Sequence, residues 1–276
     1  MLVGPTWTVP WSIWGKRLTP DNANAIIHGG ENKLSQWRHL MARNSGQQKR
    51  IVISPDGPYV VHGHVPLVYK EQVVSEYGEP LTWRTGRVIE TPETYELCRC
   101  GHSKFLPFCD VSHALVEYDG TETAATSTTA ERRVTLEGGP GIFVRRDCSL
   151  CTSSGFCGNR LTNVEEMVRR SEDTTVRAQV MAMIERCPSG AYVYSTAKGE
   201  PDIEPDLPKQ IAVTTEITSD GPIAGPLWVT GGIPIVRSDG QPFETRNRVT
   251  LCSCGLSEIK PLCDGAHREA GIPAIA

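Results

Sequence analysis

The sequence predicts an α+β, β-rich protein in which two similar β lobes flank a small inserted α/β unit. Three observations carry this. A phrase of three cysteines and one histidine occurs twice with identical spacing, near residue 100 and near the C-terminus. A glycine–proline strand pattern precedes each copy. Between the copies the apolar residues switch to helical spacing. The chain of 276 residues has room for about two domains or several small lobes. Its 26 Gly and 20 Pro, with only 7% aromatics, favour turn-rich β units over one helical core.

Taken in order, residues 1–50 form an N-terminal extension. Thr19-Pro20-Asp21 starts a helix by the cap-then-proline rule, and Trp37, Leu40 and Met41 predict another over about 33–44. Trp7, Trp11 and Trp14 cover apolar surface. The first lobe, 51–120, carries a turn at Gly57-Pro58, a short apolar strand, a turn at Gly63 and a second strand to Val68. It aligns without a gap with Gly225-Pro226 through Gly231 to Val236 of the second lobe, 209–276. The first copy is about 14 residues longer around 71–94, a longer hairpin or loop. A Thr/Ala-rich linker at 121–129 leads to a unit over 131–198, and a Pro- and acid-rich linker at 199–208 leaves it. Within that unit Gly139-Pro-Gly-Ile-Phe-Val144 weakly echoes the strand pattern. Asn163 caps a helix start, with Glu166 three residues on. Val176, Val180, Met183 and Ile184 predict a helix over 174–186.

The repeated phrase places Cys98, Cys100, Cys109 and His113 in the first copy, and Cys252, Cys254, Cys263 and His267 in the second. Both fit C-x-C-x2-S-x3-P-x-C-D-x-[SA]-H. Three soft thiolates and an imidazole at fixed spacing are a metal-site signature. Extended Cys-x-Cys points both sulfurs to one side, so they can grip one iron. Cys-Asp-x-x-His stacks its ligands on one face of a starting helix, where they can reach a second. Asp110 and Asp264 take the N-cap position. The Ser and Pro between the halves shape the loop and offer hydrogen bonds to sulfur. Zinc is the competing metal, but zinc ribbons use Cys-x2-Cys knuckles. His28, His39, His62, His64 and His102 read as surface or hydrogen-bonding residues.

These residues resemble the CDGSH, or NEET-type, iron–sulfur family over both repeats. The resemblance implies a [2Fe–2S] cluster at each motif, held by three Cys and one His. It also implies an internal arrangement: single-motif members are dimers, so two copies in one chain imply NEET-like lobes in an intramolecular pseudo-dimer, monomeric as a chain. Val111 stands where the family has Gly, and valine avoids positive φ, so an ordinary helical conformation is expected there. Ala266 in place of Ser is a mild change.

In the middle, Cys148, Cys151 and Cys157 are followed by a remote Cys187-Pro188. A close cysteine group plus a Cys-Pro suits an iron–sulfur cubane. This stretch resembles the divergent single-cluster ferredoxin family, with Ser153 where that family commonly has His. Two ligand sets stay open: Cys148, Cys151, Cys157 and Cys187 holding [4Fe–4S], or Cys151, Cys157 and Cys187 holding [3Fe–4S]. Zinc, or no metal, is the third alternative.

All ten cysteines fall into these groups, which points to metal ligation in a reducing compartment rather than a disulfide framework. The net charge of −4 offers no basic block for phosphates, so no nucleic acid is expected. No apolar run of about 18 residues exists for a membrane span, and the N-terminus lacks a basic signal region, so a cytoplasmic protein is expected. The clusters add roughly four negative charges, favouring partners with a basic docking face. An electron carrier between a reductase and a partner oxidoreductase is the leading expectation. The alternative is a cluster carrier or a redox- and pH-responsive sensor with labile His-ligated clusters, since imidazole titrates near neutrality. No nucleophile–base pair or nucleotide loop marks an enzyme with its own substrate site.

Overall fold

Alternating apolar residues build short strands in both copies, and the computed structural model describes them within residues 48–274. The helices expected near 19 and over 33–44, the three N-terminal tryptophans, His28 and His39 lie outside the described residues.

The first copy contributes β1 (Arg50–Ile53), β2 (Tyr59–His62), β3 (Leu67–Val74), β4 (Pro80–Ile89) and β5 (Thr94–Leu97). After the insertion, the second contributes β9 (Gln210–Thr218), β10 (Gly221–Thr230), β11 (Ile235–Val236) and β12 (Arg248–Leu251). In each copy a central strand, β2 or β10, lies antiparallel between two others. The copies then exchange strands. β11 runs parallel to β1, with Ile51 opposite Ile235, and β3 runs parallel to β9, with Leu67 opposite Ile211. Ile51 and Ile211 are equivalent positions, as are Leu67 and Ile235, so one contact occurs twice about a pseudo-twofold axis. The sheets are ordered β11-β1-β2-β5 and β12-β10-β9-β3-β4. A single core joins them, with matched pairs such as Tyr59 and Leu227, Val61 and Val229, and Leu97 and Leu251. Each such fully buried side chain stabilises the body by about 1.5–3 kcal/mol.

The copies differ in how their first hairpin closes. In the first, Gly57 N donates to Ser54 O at 3.2 Å and the chain turns at once. In the second, β9 and β10 run on to a turn at 218–221. Gly225-Pro226 is therefore not a turn, as the sequence suggested, but lies inside β10 at a bulge between Ala224 and Leu227. The backbone comes so close there that a Cβ on Gly225 would sit 2.4 Å from Thr214 Oγ1. That hydroxyl donates to Pro226 O at 2.6 Å. The extra residues of the first copy form the β3–β4 hairpin beside β9. Lengthened strands of both copies thus merge into one arm of the five-stranded sheet.

The inserted unit has α1 (Thr129–Arg132), β6 (Val134–Thr135), β7 (Phe143–Arg146), α2 (Val164–Met167), α3 (Thr174–Arg186) and β8 (Tyr192–Ser195). Its antiparallel sheet is ordered β6-β7-β8. Ile142, Val144, Met167, Val180, Ile184 and Tyr194 form a separate core under the helices. Asn163 accepts from Glu166 N at 3.0 Å and caps α2, while Asp173 accepts from Thr175 N at 2.7 Å and caps α3. Pro188 cannot continue α3. The arm holds this unit through Trp83, whose ring lies 5.4 Å from Phe156 and 5.5 Å from Trp228. Gln72 adds a bond to Ser154 O at 2.9 Å. From β12, buried Arg248 donates to the carbonyls of Ile184, Glu185 and Cys187. The segments read as linkers are tied down: Thr123 N and Ala124 N donate to Lys260 O, and Asp202 pairs with Arg133 and Arg145.

Candidate metal centres

Both repeated phrases fold into the same constellation. Cys98 Sγ lies 3.7 Å from Cys100 Sγ, and Cys252 Sγ 3.6 Å from Cys254 Sγ. Cys109 Sγ lies 3.4 Å from His113 Nδ1, and Cys263 Sγ 3.4 Å from His267 Nδ1. The pairs face each other closely enough for Cys98 to act electrostatically on Cys109 and Cys252 on Cys263. Backbone N–H groups, not the serine hydroxyls, serve the sulfurs. His102 N donates to Cys100 Sγ and Val111 N to Cys109 Sγ, each at 3.4 Å. Leu256 N and Gly265 N do the same for Cys254 and Cys263. Ser103 and Ser257 instead donate to Phe108 O at 2.6 Å and Leu262 O at 2.7 Å, closing the loop. The aspartates are not the caps, as expected, but stand one position before them. The caps are Val111, ahead of a short 3₁₀ turn at Ser112–Ala114, and Gly265, ahead of α4 (Ala266–Ala270). Asp110 and Asp264 still clamp the site, each accepting from the first-turn N–H and from the loop six residues upstream. It is the left-handed residue, rather than helical stacking, that brings Cys and His together.

The electrostatics call for a cation. Burial pushes Cys100 and Cys109 up to about 11 and Cys263 well above the ordinary thiol range. A hydrogen bond from Cys254 pulls Cys252 down to about 6 against its burial, and the same bond raises Cys254. Several buried thiolates coexist only when bound metal charge compensates them. Among the described residues no three His, Cys, Asp or Glu side chains converge on one ion position. Two donor pairs facing each other fit a dinuclear iron–sulfur group, which spreads its ligands over two metals.

The sites touch each other. Cys100 and Cys254 face each other in an antiparallel bridge, where opposed Cα atoms lie about 4.5–5.5 Å apart. Only glycine fits beside them. A Cβ on Gly101 would lie 2.5 Å from Cys254 O, and one on Gly255 2.4 Å from Cys100 O. Tyr59 of the first copy reaches across to donate to Cys252 O at 2.8 Å and Pro261 O at 3.1 Å.

They also differ in three ways. Val111 has φ 70° and is 59% exposed. The expected helical conformation there is wrong, because the constellation imposes on valine the left-handed backbone that Gly265 supplies at φ 96°. Arg99, between Cys98 and Cys100, is 1% exposed and stacks over Tyr59 and Tyr118, each at 5.6 Å. It donates to Ser54 O and Gly120 O, and among the described residues no carboxylate pairs with it. A buried cation of this kind is costly without nearby negative charge, which anionic clusters would provide. The third difference is Glu216, fully buried, whose Oε2 lies 3.2 Å from His267 Nε2. The sequence reading missed both. Ser253 at the position equivalent to Arg99 was the available signal, whereas nothing in the sequence of β9 marked Glu216.

In the inserted unit Cys151, Cys157 and Cys187 come together. Burial, then the charges of Cys187 and Cys151, raise Cys157. Cys187 is buried after α3, with Sγ 3.5 Å from Ser189 Oγ. Cys148 is exposed on a 3₁₀ turn at Cys148–Leu150 and shares the neighbourhood of Arg146 with Cys151. This centre abuts the second site: a Cβ on Gly265 would lie 3.0 Å from Thr152 O and 3.4 Å from Ser153 Oγ. His62 Nδ1 stands 3.3 Å from Thr94 Oγ1, and His64 N donates to Glu93 O at 3.1 Å.

Residues 56–114 and 224–268 match the iron-binding zinc-finger family of CDGSH type, and residues 138–197 match the divergent 4Fe-4S mono-cluster family. No curated protein and no solved structure matches the chain. The chain is an iron–sulfur protein with a redox or cluster-handling role. In particular, it carries two CDGSH iron-binding domains on either side of a divergent 4Fe-4S segment. Among the described residues no helix is long and apolar enough to cross a membrane.

Proposed function

We propose that this protein carries single electrons between a reductase and a partner oxidoreductase. Cys98, Cys100, Cys109 and His113 hold one [2Fe–2S] cluster, and Cys252, Cys254, Cys263 and His267 hold another. Cys151, Cys157 and Cys187, with Cys148 as fourth ligand, hold a [4Fe–4S] cluster. A [3Fe–4S] cluster on the first three is the alternative. When bound, these groups supply one-electron chemistry. The chain's part is to bury and align them, and to shield the thiolates with backbone N–H groups.

The observation that carries the reading is the row formed by the three centres. Cys151 adjoins Thr152, which packs on Gly265 between Cys263 and His267. Cys254 of that site pairs with Cys100 of the next. Such continuity suits electron passage through the molecule more than independent storage sites. The protein acts in a reducing compartment, the cytoplasm, and its partners present basic docking faces to the negative holoprotein. A second reading, donation of whole clusters, draws on the first site's exposed surroundings, where Val111 is 59% and Leu115 86% exposed. Repeated reduction and reoxidation with all iron retained supports the electron carrier. Transfer of iron and sulfide to an apo acceptor at turnover-relevant rates overturns it.

A further inference from the structure

The extended β9–β10 arm puts a carboxylate behind one histidine and not the other. Glu216 is 0% exposed, and its Oε2 lies 3.2 Å from His267 Nε2. The other ring nitrogen, Nδ1, lies 3.4 Å from Cys263 Sγ. The imidazole therefore spans the gap between a buried carboxylate and the metal-facing thiols. With Nδ1 turned to the metal, Nε2 keeps the proton and donates to Glu216, which makes the ring a stronger donor. At the first site the chain turns at 54–57 instead of running on. His113 Nε2 faces the Gly57 backbone, 3.8 Å from where a Cβ would stand. Among the described residues no carboxylate lies within ion-pair reach of His113.

We propose that Glu216 poises the second [2Fe–2S] site at a lower reduction potential than the first, so that electrons entering through the inserted unit pass the second site and come to rest at the first. The inference rests on the electron-carrier reading. A negative charge in a low-dielectric surround opposes the addition of an electron nearby. Arg268 also donates to Glu216 but is 27% exposed, so water screens part of its charge, and the dry carboxylate outweighs what remains. Glu216 neither gains nor loses an electron. In each step one site is oxidised by one electron and its neighbour reduced by one, the electron coming from a reductase and leaving to an acceptor oxidoreductase. Glu216 is thus a positioning residue, acting through His267.

The test is an EPR-monitored redox titration of the full-length holoprotein and its Glu216→Gln variant. His113→Cys, which alters the first site alone, assigns the two signals. The expected result is a second site at lower potential than the first. In Glu216→Gln its reduction becomes at least tenfold more favourable, about 59 mV for one electron, while the first site stays put. Arg268→Gln moves the second site the other way, and it serves as the readout should Glu216→Gln lose its cluster. Unshifted potentials in Glu216→Gln with both clusters present overturn the inference and leave the carrier reading standing. So does an unshifted second site in Arg268→Gln where Glu216→Gln has lost that cluster. A native holoprotein that cannot be cycled reversibly overturns the carrier reading, and this inference with it.

Discussion

At the first CDGSH site the chain closes its hairpin in a tight turn, leaving Val111 and Leu115 open to solvent. At the second, the same strands run on, swallow His267 to 1% exposure and bring Glu216 against it. The ligand phrase is the same; the surroundings are not. A duplicated motif can therefore keep its donor geometry while strand length alone changes exposure, nearby charge and the neighbour each site touches. Here the second site abuts the inserted unit through Gly265, and the first keeps an open face.

The largest test of this comparison concerns what the copies share. β3 and β11 are exchanged between them, so Leu67→Ala and Ile235→Ala remove equivalent buried contacts and should each cost about 2–5 kcal/mol. Denaturant unfolding should give similar losses for both. A large loss for one and none for the other would break the pseudo-twofold account of the core.

Next come the residues that separate the copies. Gly265→Val forces a side chain against Thr152 O at a backbone φ that suits glycine, costing about 1–3 kcal/mol in backbone strain alone. It should also part the inserted unit from the second site, read as faster proteolysis of residues 131–198. Val111→Gly should do the reverse at the first site, gaining about 1 kcal/mol as strain is relieved against the entropy of glycine. Equal effects of the two changes would remove the strain argument.

His113→Cys and His267→Cys each replace imidazole by thiolate, so each should lower the potential of its own cluster only. A variant whose spectrum and potential stay native would strike that histidine from the ligand set. The smallest effect concerns loading. Because burial holds Cys100 and Cys109 near 11, apo protein keeps both protonated at neutral pH and must release those protons to bind iron. Reconstitution of the first site should therefore speed up as pH rises from 7 towards 9, and a flat profile would contradict it.

Much of this was legible in the sequence, because ligand chemistry is written in short spacings. Cys-x-Cys and Cys-x3-His marked the side chains that the fold brings within 3.4–3.7 Å of each other, and the matched Gly-Pro strands announced the duplication. α3 followed from Val176, Val180 and Ile184. What stayed hidden depends on distant chain. Gly225-Pro226 reads as a turn but lies in a strand, because Thr214 closes over it from the neighbouring strand. Val111 argues locally for a helical backbone, yet the Cys109–His113 closure overrides that preference. Glu216 lies 51 residues before His267, and only the folded arm joins them.

Iron and acid-labile sulfide counts on anaerobically purified protein, with EPR of the reduced form, test the three-centre arrangement most directly. About eight irons per chain with two distinct [2Fe–2S] signals is the expected result, and about seven would exchange the cubane for a three-iron cluster. Zinc in place of iron, with no visible absorbance, would contradict the three-cluster assignment.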